Sequence, residues 1–291
     1  MERPDLLGHL LTNIRTTSAP DVVYHYTSPA GLMGILGDAV IQATDVQYLN
    51  DAQEFEYTLE LARQSLASLR SRGATSDDAR LLDQCNLALG VAPNIRIYAA
   101  SFSKEGNLLS QWRAYCPPTG GFSIGITSTV LESAARTVLL PCVYDRARQD
   151  WLFGEIVGSL LNDWRARPAA EAEPETAIRL TGYGATFLTA VLLLAAVFKD
   201  PSFKEEEEWR LTTRSTHPEP KPLLFREGRS GLVPYEHFTL RPKDGPLRID
   251  RVIVGPNPHP TLATRAVLSY MEKKGVVHDG VVASGIPYRT W

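Results

Sequence analysis

Cysteine is scarce: Cys85, Cys116 and Cys142 are the only three in 291 residues. They are too few and too widely spaced for a disulfide framework or a zinc site, which points to a reducing compartment, the cytoplasm. A basic excess is also missing. Thirty Lys and Arg against 33 Asp and Glu leave a formal charge of −3, so contact with a nucleic acid would need a local patch. The opening stretch, Met1 to Thr17, mixes charges into its apolar positions and has no continuous apolar run, unlike a signal peptide. No Walker loop, dinucleotide-type glycine fingerprint, His-Glu-x-x-His or nucleophile elbow occurs, nor any metal-ligand spacing. What is present, 44% hydrophobic and 22% charged residues, is the composition of a globular protein with a full core.

One segment, Leu180 to Phe198, carries no charge and approaches the length needed to cross a bilayer. Its first half holds glycines, threonines and a tyrosine, and the strongly apolar part begins only at Phe187. That length suits a buried helix, and no membrane contact is expected.

The hydrophobic period switches repeatedly between helical and strand spacing. Residues 22–27 alternate as a strand, with Val22, Tyr24 and Tyr26 on one face and Val23, His25 and Thr27 on the other. Ser28-Pro29 opens a helix. Asp51 and Glu54 have the spacing of a capping box before a second, longer one. Further strands are expected at 95–103, 122–126, 137–145, 207–213, 232–240 and 248–255, with helices at 151–166, 176–198 and after Pro260. A last short strand closes the chain. Strands cluster early and late without βαβ alternation. This predicts an α+β fold with a largely antiparallel sheet, in one domain spanning 1–291 with its core at about 22–290.

Three places could carry chemistry. His25 lies mid-strand between tyrosines. Ser101 and Ser103 share a strand face and can offer two hydroxyls side by side. In Phe203 to Leu211, strand alternation puts Glu206, Glu208 and Arg210 on one face and Glu207, Trp209 and Leu211 on the other. Two carboxylates at i, i+2 repel unless a cation or a hydroxyl-rich ligand compensates, so Glu208→Gln is expected to leave the stability of the fold the same or raise it. Trp112 and Tyr115, spaced i, i+3, form one aromatic platform, in the core or under a flat ring.

These pieces resemble the domain of unknown function 2971 family. The resemblance rests on Tyr24-His25-Tyr26-Thr27, the Gly31 to Leu36 helix, Leu49 to Glu54, and the Ser-Phe-Ser strand followed by Trp112 and Tyr115. The block from Phe203 to Arg210 and the strand Val252 to Gly255 complete it. Leu49 and Ala52 depart from the family's pattern, where an aromatic and a proline stand. The order of motifs is also similar to the ADP-ribosyltransferase fold, with a histidine on a first strand, Ser-x-Ser on a middle strand and Glu-x-Glu on a late one.

That second resemblance implies an ADP-ribosyltransferase-like split sheet and an enzyme that takes NAD as its substrate, without a metal. It implies that Glu208 bonds a ribose hydroxyl and stabilises an oxocarbenium-like transition state, as in glycoside hydrolysis. Glu206 would orient or deprotonate the acceptor, and His25 would anchor a ribose hydroxyl. Tyr26, Thr27, Ser101, Ser103, Trp112, Tyr115 and Arg210 would bind NAD. The acceptor would be a macromolecule, protein or nucleic acid, as for a bacterial toxin or defence effector. Two alternatives stay open: a non-catalytic nucleotide- or protein-binding member of the fold, and a metal-independent RNA-processing enzyme using His25 and Glu208.

Overall fold

The computed structural model describes residues 6–49, 53–116, 120–132, 137–166, 173–213, 223–228, 231–241 and 245–287. In chain order the elements are α1 (Leu6–Ile14), β1 (Val22–Thr27), α2 (Pro29–Asp38), β2 (Val40–Asp45), α3 (Gln53–Ser71), α4 (Ser76–Leu89), β3 (Tyr98–Ser103), α5 (Leu109–Tyr115), β4 (Phe122–Thr127), α6 (Ser128–Glu132) and β5 (Thr137–Pro141). There follow α7 (Arg146–Ala166), α8 (Glu173–Ala195), β6 (Glu208–Thr213), β7 (Leu224–Glu227), β8 (Leu232–Thr239), β9 (Val252–Val254), α9 (Pro260–Lys274) and β10 (Val281–Ala283).

The α+β class read from the sequence is what the structure has. Among the described residues ten strands join in one open sheet, ordered β10-β9-β4-β1-β3-β2-β8-β7, and β6 and β5 continue from the other edge of β3. Each pairing of these strands is antiparallel except β9 with β10. Both faces are covered. Alternation sends Val23, Ile41, Phe102, Ile124, Trp209 and Leu211 into a core shared with Leu32, Ile35 and Leu36 of α2 and Val267 and Met271 of α9. The opposite face packs Ala99, Val138 and Leu140 against α1, α3, α4, α7 and α8.

The uncharged segment is the inner helix of that second layer. Helix α8 is long and apolar enough to cross a membrane by length and composition. Its apolar half instead lies in the core, with Phe187, Val191, Leu192 and Leu194 at 0% exposure. A helix apolar on all sides has no solvent face and must be surrounded by protein or lipid.

Several boundaries move. Helices α7 and α8 start earlier than expected, at Arg146 and Glu173, and α8 ends at Ala195. The strand expected at 95–103 begins at Tyr98, that expected at 137–145 ends at Pro141, and that expected at 248–255 shrinks to Val252–Val254. Strands β2 and β7 were not foreseen; β2 pairs β8 and β3, and only this tertiary pairing makes them strands. Ser28 caps α2 as expected, its hydroxyl accepting from the Gly31 amide. Asp51 lies outside the described residues, and Glu54 spends its carboxylate on Arg210, 3.0 Å away, rather than on a cap. The largest local correction is at Glu206. It ends a 3-10 helix, Pro201–Glu206, and is not on β6; the strand begins at Glu208.

Candidate active site

Strand β3 has β6 along one edge, paired from Ala99 to Ser103. Its other edge is shared. Strand β2 pairs with Tyr98 and Ala99, and β1 meets it at a single position, Tyr24 with Ser103. Between those contacts β1 and β2 diverge, and His25 fills the gap. Its Nδ1 lies 2.9 Å from the Ser101 carbonyl oxygen. A carbonyl only accepts, so Nδ1 carries the proton and a neutral ring keeps Nε2 as an acceptor. Burial lowers the His25 pKa, with the positive charge of Arg226 adding to the effect, so the ring is neutral at pH 7.

The acidic block folds onto two buried cations. Glu207 has φ 41°, in the left-handed region that a side-chain-bearing residue enters at a cost of about 1–2 kcal/mol. That bend brings Glu206 back beside Glu208. Lys199, which follows α8, places its Nζ 2.6 Å from Glu206 Oε2 and 2.6 Å from Glu208 Oε2. Arg210 Nε donates to Glu208 Oε1 at 2.8 Å, and its Nη2 reaches Glu208 Oε2 at 3.3 Å and Glu54 Oε2 at 3.0 Å. The compensating cation the sequence left open is thus internal. Burial alone would raise the Glu208 pKa, but Arg210 and Lys199 outweigh it and hold the carboxyl at about 2. At Glu54 burial wins over Arg210 and pushes the pKa up to about 7. Among the described residues its Oε1 has no hydrogen-bond partner.

A small pocket of about 50 Å³ gathers most of the residues singled out from the sequence. Its walls are Tyr24, His25, Tyr26, Ser101, Phe102, Ser103, Gln111, Tyr115, Glu206 and Glu208. Ser103 Oγ donates to the Glu206 carbonyl and accepts from the Glu105 amide. Tyr26 Oη donates to the Glu105 carbonyl and accepts from the Leu108 amide. These bonds tie the segment after β3 to the pocket floor. The pocket adjoins a groove of about 660 Å³ in the gap between β1 and β2, and His25, Tyr26, Ser101 and Tyr115 line both. Thr27, Ser28, Gly31, Gln42, Thr44 and Arg226 are among the groove's other walls.

Two residues assigned to NAD sit elsewhere. Trp112 is 3% exposed and packs edge-on against Tyr26, ring centroids 4.7 Å apart, so it is core. Of the aromatic platform only Tyr115 faces the pocket. Arg210, 2% exposed, acts through Glu208 and Glu54 and lines neither cavity. Trp209 packs in the core on the face opposite Glu208, as alternation requires. Sequence reasoning missed Lys199, Glu54 as a partner of Arg210, and Arg226. Only Lys199 left a signal, as the first charge after the uncharged run.

Residues 111–211 match the model of a family described as "Protein of unknown function (DUF2971)". The match runs from α5 through β6 and takes in Tyr115, Lys199, Glu206, Glu208 and Arg210; the resemblance stated from the motifs holds over that segment. No curated protein and no solved structure matches the chain.

Proposed function

We propose that this protein is an ADP-ribosyltransferase-like enzyme that breaks the nicotinamide–ribose bond of NAD and transfers ADP-ribose to a macromolecular acceptor, protein or nucleic acid. The observation that supports this most is a convergence. His25 of β1, Ser101 and Ser103 of β3 and the Glu206–Glu208 pair, far apart in sequence, line one pocket beside the split between β1 and β2. A groove of about 660 Å³ leads into it, within the range of small-molecule sites.

The pocket is too small for a ribose ring, so the ring would sit at its mouth with a hydroxyl reaching in. Bond cleavage leaves the electron pair on the nicotinamide nitrogen and develops positive charge at the ribose carbon. Glu208, held ionised by Arg210 and Lys199, supplies fixed negative charge nearby. Its interaction strengthens as the cation forms, which lowers the barrier rather than tightening the ground state. The acceptor's nucleophile then bonds to the ribose carbon and its proton passes to Glu206, the more exposed of the two carboxylates at 16%. Neutral His25 would accept a ribose hydroxyl at Nε2. A reducing compartment suits the free thiols of Cys85, Cys116 and Cys142, and a cytoplasmic bacterial toxin or defence effector fits this reading.

A second reading draws on the ion pairs themselves. A buried structural carboxylate also needs its charge compensated, and in that case the cleft binds a nucleotide without turnover. Incubation with NAD and quantification of free nicotinamide separates the two. Release that falls about 10²-fold or more in Glu208→Gln, in protein shown to be folded under the assay conditions and with NAD binding retained, supports the transferase. Binding of NAD with no release in the wild type supports the binder.

A further inference from the structure

We infer that Arg226 forms a phosphate subsite in the groove between β1 and β2, fitted to the diphosphate of a nucleotide. The β7–β8 hairpin lies outside the matched segment. Its register on β2 sets Gln42 opposite His237 and Thr44 opposite Tyr235, and Leu224 of β7 pairs Tyr235 in turn. Alternation therefore brings Arg226, Gln42, Thr44 and His237 to one face of the sheet. Arg226 Nη1 donates to Gln42 Oε1 at 3.2 Å and Nη2 to Thr44 Oγ1 at 2.6 Å. These are neutral acceptors that fix the guanidinium without cancelling its charge.

Among the described residues no carboxylate is within ion-pair distance of Arg226, although Arg226 lines the groove. Two carboxylates, Asp38 and Glu227, line the groove as well. Glu227 is the next residue on β7 and projects from the strand's other face, and Asp38 stands at the end of α2. Arg226 is exposed to the groove, and a cation with free N–H donors held in a fixed orientation is the arrangement that recognises phosphoryl oxygens by a fork of hydrogen bonds. The same charge helps to keep His25 neutral, so the subsite and the split are electrostatically linked. The nucleotide as ligand rests on the proposed function; the phosphate chemistry rests on Arg226 alone.

Calorimetric titration with NAD, ADP, inorganic pyrophosphate and adenosine tests this. The wild type is expected to bind the three phosphorylated probes, more weakly as salt is added. Arg226→Gln should weaken them about tenfold or more, leave adenosine unchanged and keep the wild-type melting temperature. Equal affinity of Arg226→Gln and the wild type for NAD and ADP overturns the subsite and leaves the transferase reading standing. Arg226-dependent binding of ADP without any release of nicotinamide from NAD supports the subsite and removes the transferase. Absence of binding by all three phosphorylated probes overturns it. Should Arg226→Gln fail to fold, the wild type treated with a dicarbonyl arginine reagent decides: ADP must protect Arg226, read by mass spectrometry, and lack of protection overturns the proposal.

Discussion

The Lys199 ammonium stands 2.6 Å from a Glu208 carboxylate oxygen with only 1% of the lysine side chain exposed. Neither charge has water to fall back on, so each depends on the other. The repulsion between Glu206 and Glu208 that the sequence suggests is therefore answered inside the protein. Glu208→Gln is expected to destabilise the fold, by about 3–5 kcal/mol, because it strips two buried cations of their shared counter-ion. Lys199→Met should do similar damage. The double variant should lose less than the sum, since the two residues share one interaction. Urea unfolding at pH 7 checks this, and an unchanged midpoint in Glu208→Gln would show that the cluster does not hold the fold.

Glu54 predicts a pH dependence of opposite sign to that of Glu208. Its pKa rises from 4.5 to about 7 on folding, so between those values the folded state holds a proton that the unfolded chain has released. Its contribution is fully present below pH 4.5 and is lost as pH rises through about 7, on the order of a few kcal/mol. Glu208, depressed to about 2, contributes above pH 4.5 and loses that contribution as pH falls toward 2. Glu54→Gln should thus be more stable than the wild type at pH 8 and not at pH 5. Denaturation at both values measures it, and an equal difference at the two would contradict the buried, proton-binding carboxyl.

The parts of this fold legible in the sequence are those whose pattern is local. Strand β1 declares itself by its β-branched and aromatic content, α2 by Ser28-Pro29, and Trp209 by lying one residue from Glu208. Alternation misled at Glu206, because it assumes continuous strand and the backbone turns at Glu207. Strands β2 and β7 were illegible because their partners are distant: Gln42 meets His237 only after the chain has closed. The buried charge cluster was half visible. Glu206, Glu208 and Arg210 lie within one short stretch, but Lys199 is separated from them by a 3-10 helix and Glu54 by 156 residues from Arg210. Nothing in a run of residues says which distant cation a carboxylate will meet.

Helix α8 offers a direct test of core against membrane. Leu193 is 1% exposed among α3, α4 and α7. Leu193→Asp places an unpaired carboxylate there and should cost several kcal/mol, a large share of a typical ~5–15 kcal/mol stability. The wild type is expected in the soluble fraction without detergent, and the variant in aggregates. Recovery of the wild type only with membranes would refute the core assignment.

His25 joins packing to binding, and two substitutions pull them apart. Its Nδ1–H satisfies the Ser101 carbonyl at the one stretch of β3 where β1 and β2 have parted. His25→Ala leaves that carbonyl without its partner and should cost about 1–3 kcal/mol. His25→Asn can offer an amide N–H close to where Nδ1 was, so it should recover most of that loss in thermal melting. It has nothing in place of Nε2. If Nε2 accepts a hydroxyl of NAD, the affinity of His25→Asn for NAD stays low although its stability has returned. If the histidine serves only to close the sheet, affinity returns with stability. Melting temperature and NAD affinity measured side by side on both variants therefore tell a ligand contact from a strand clasp.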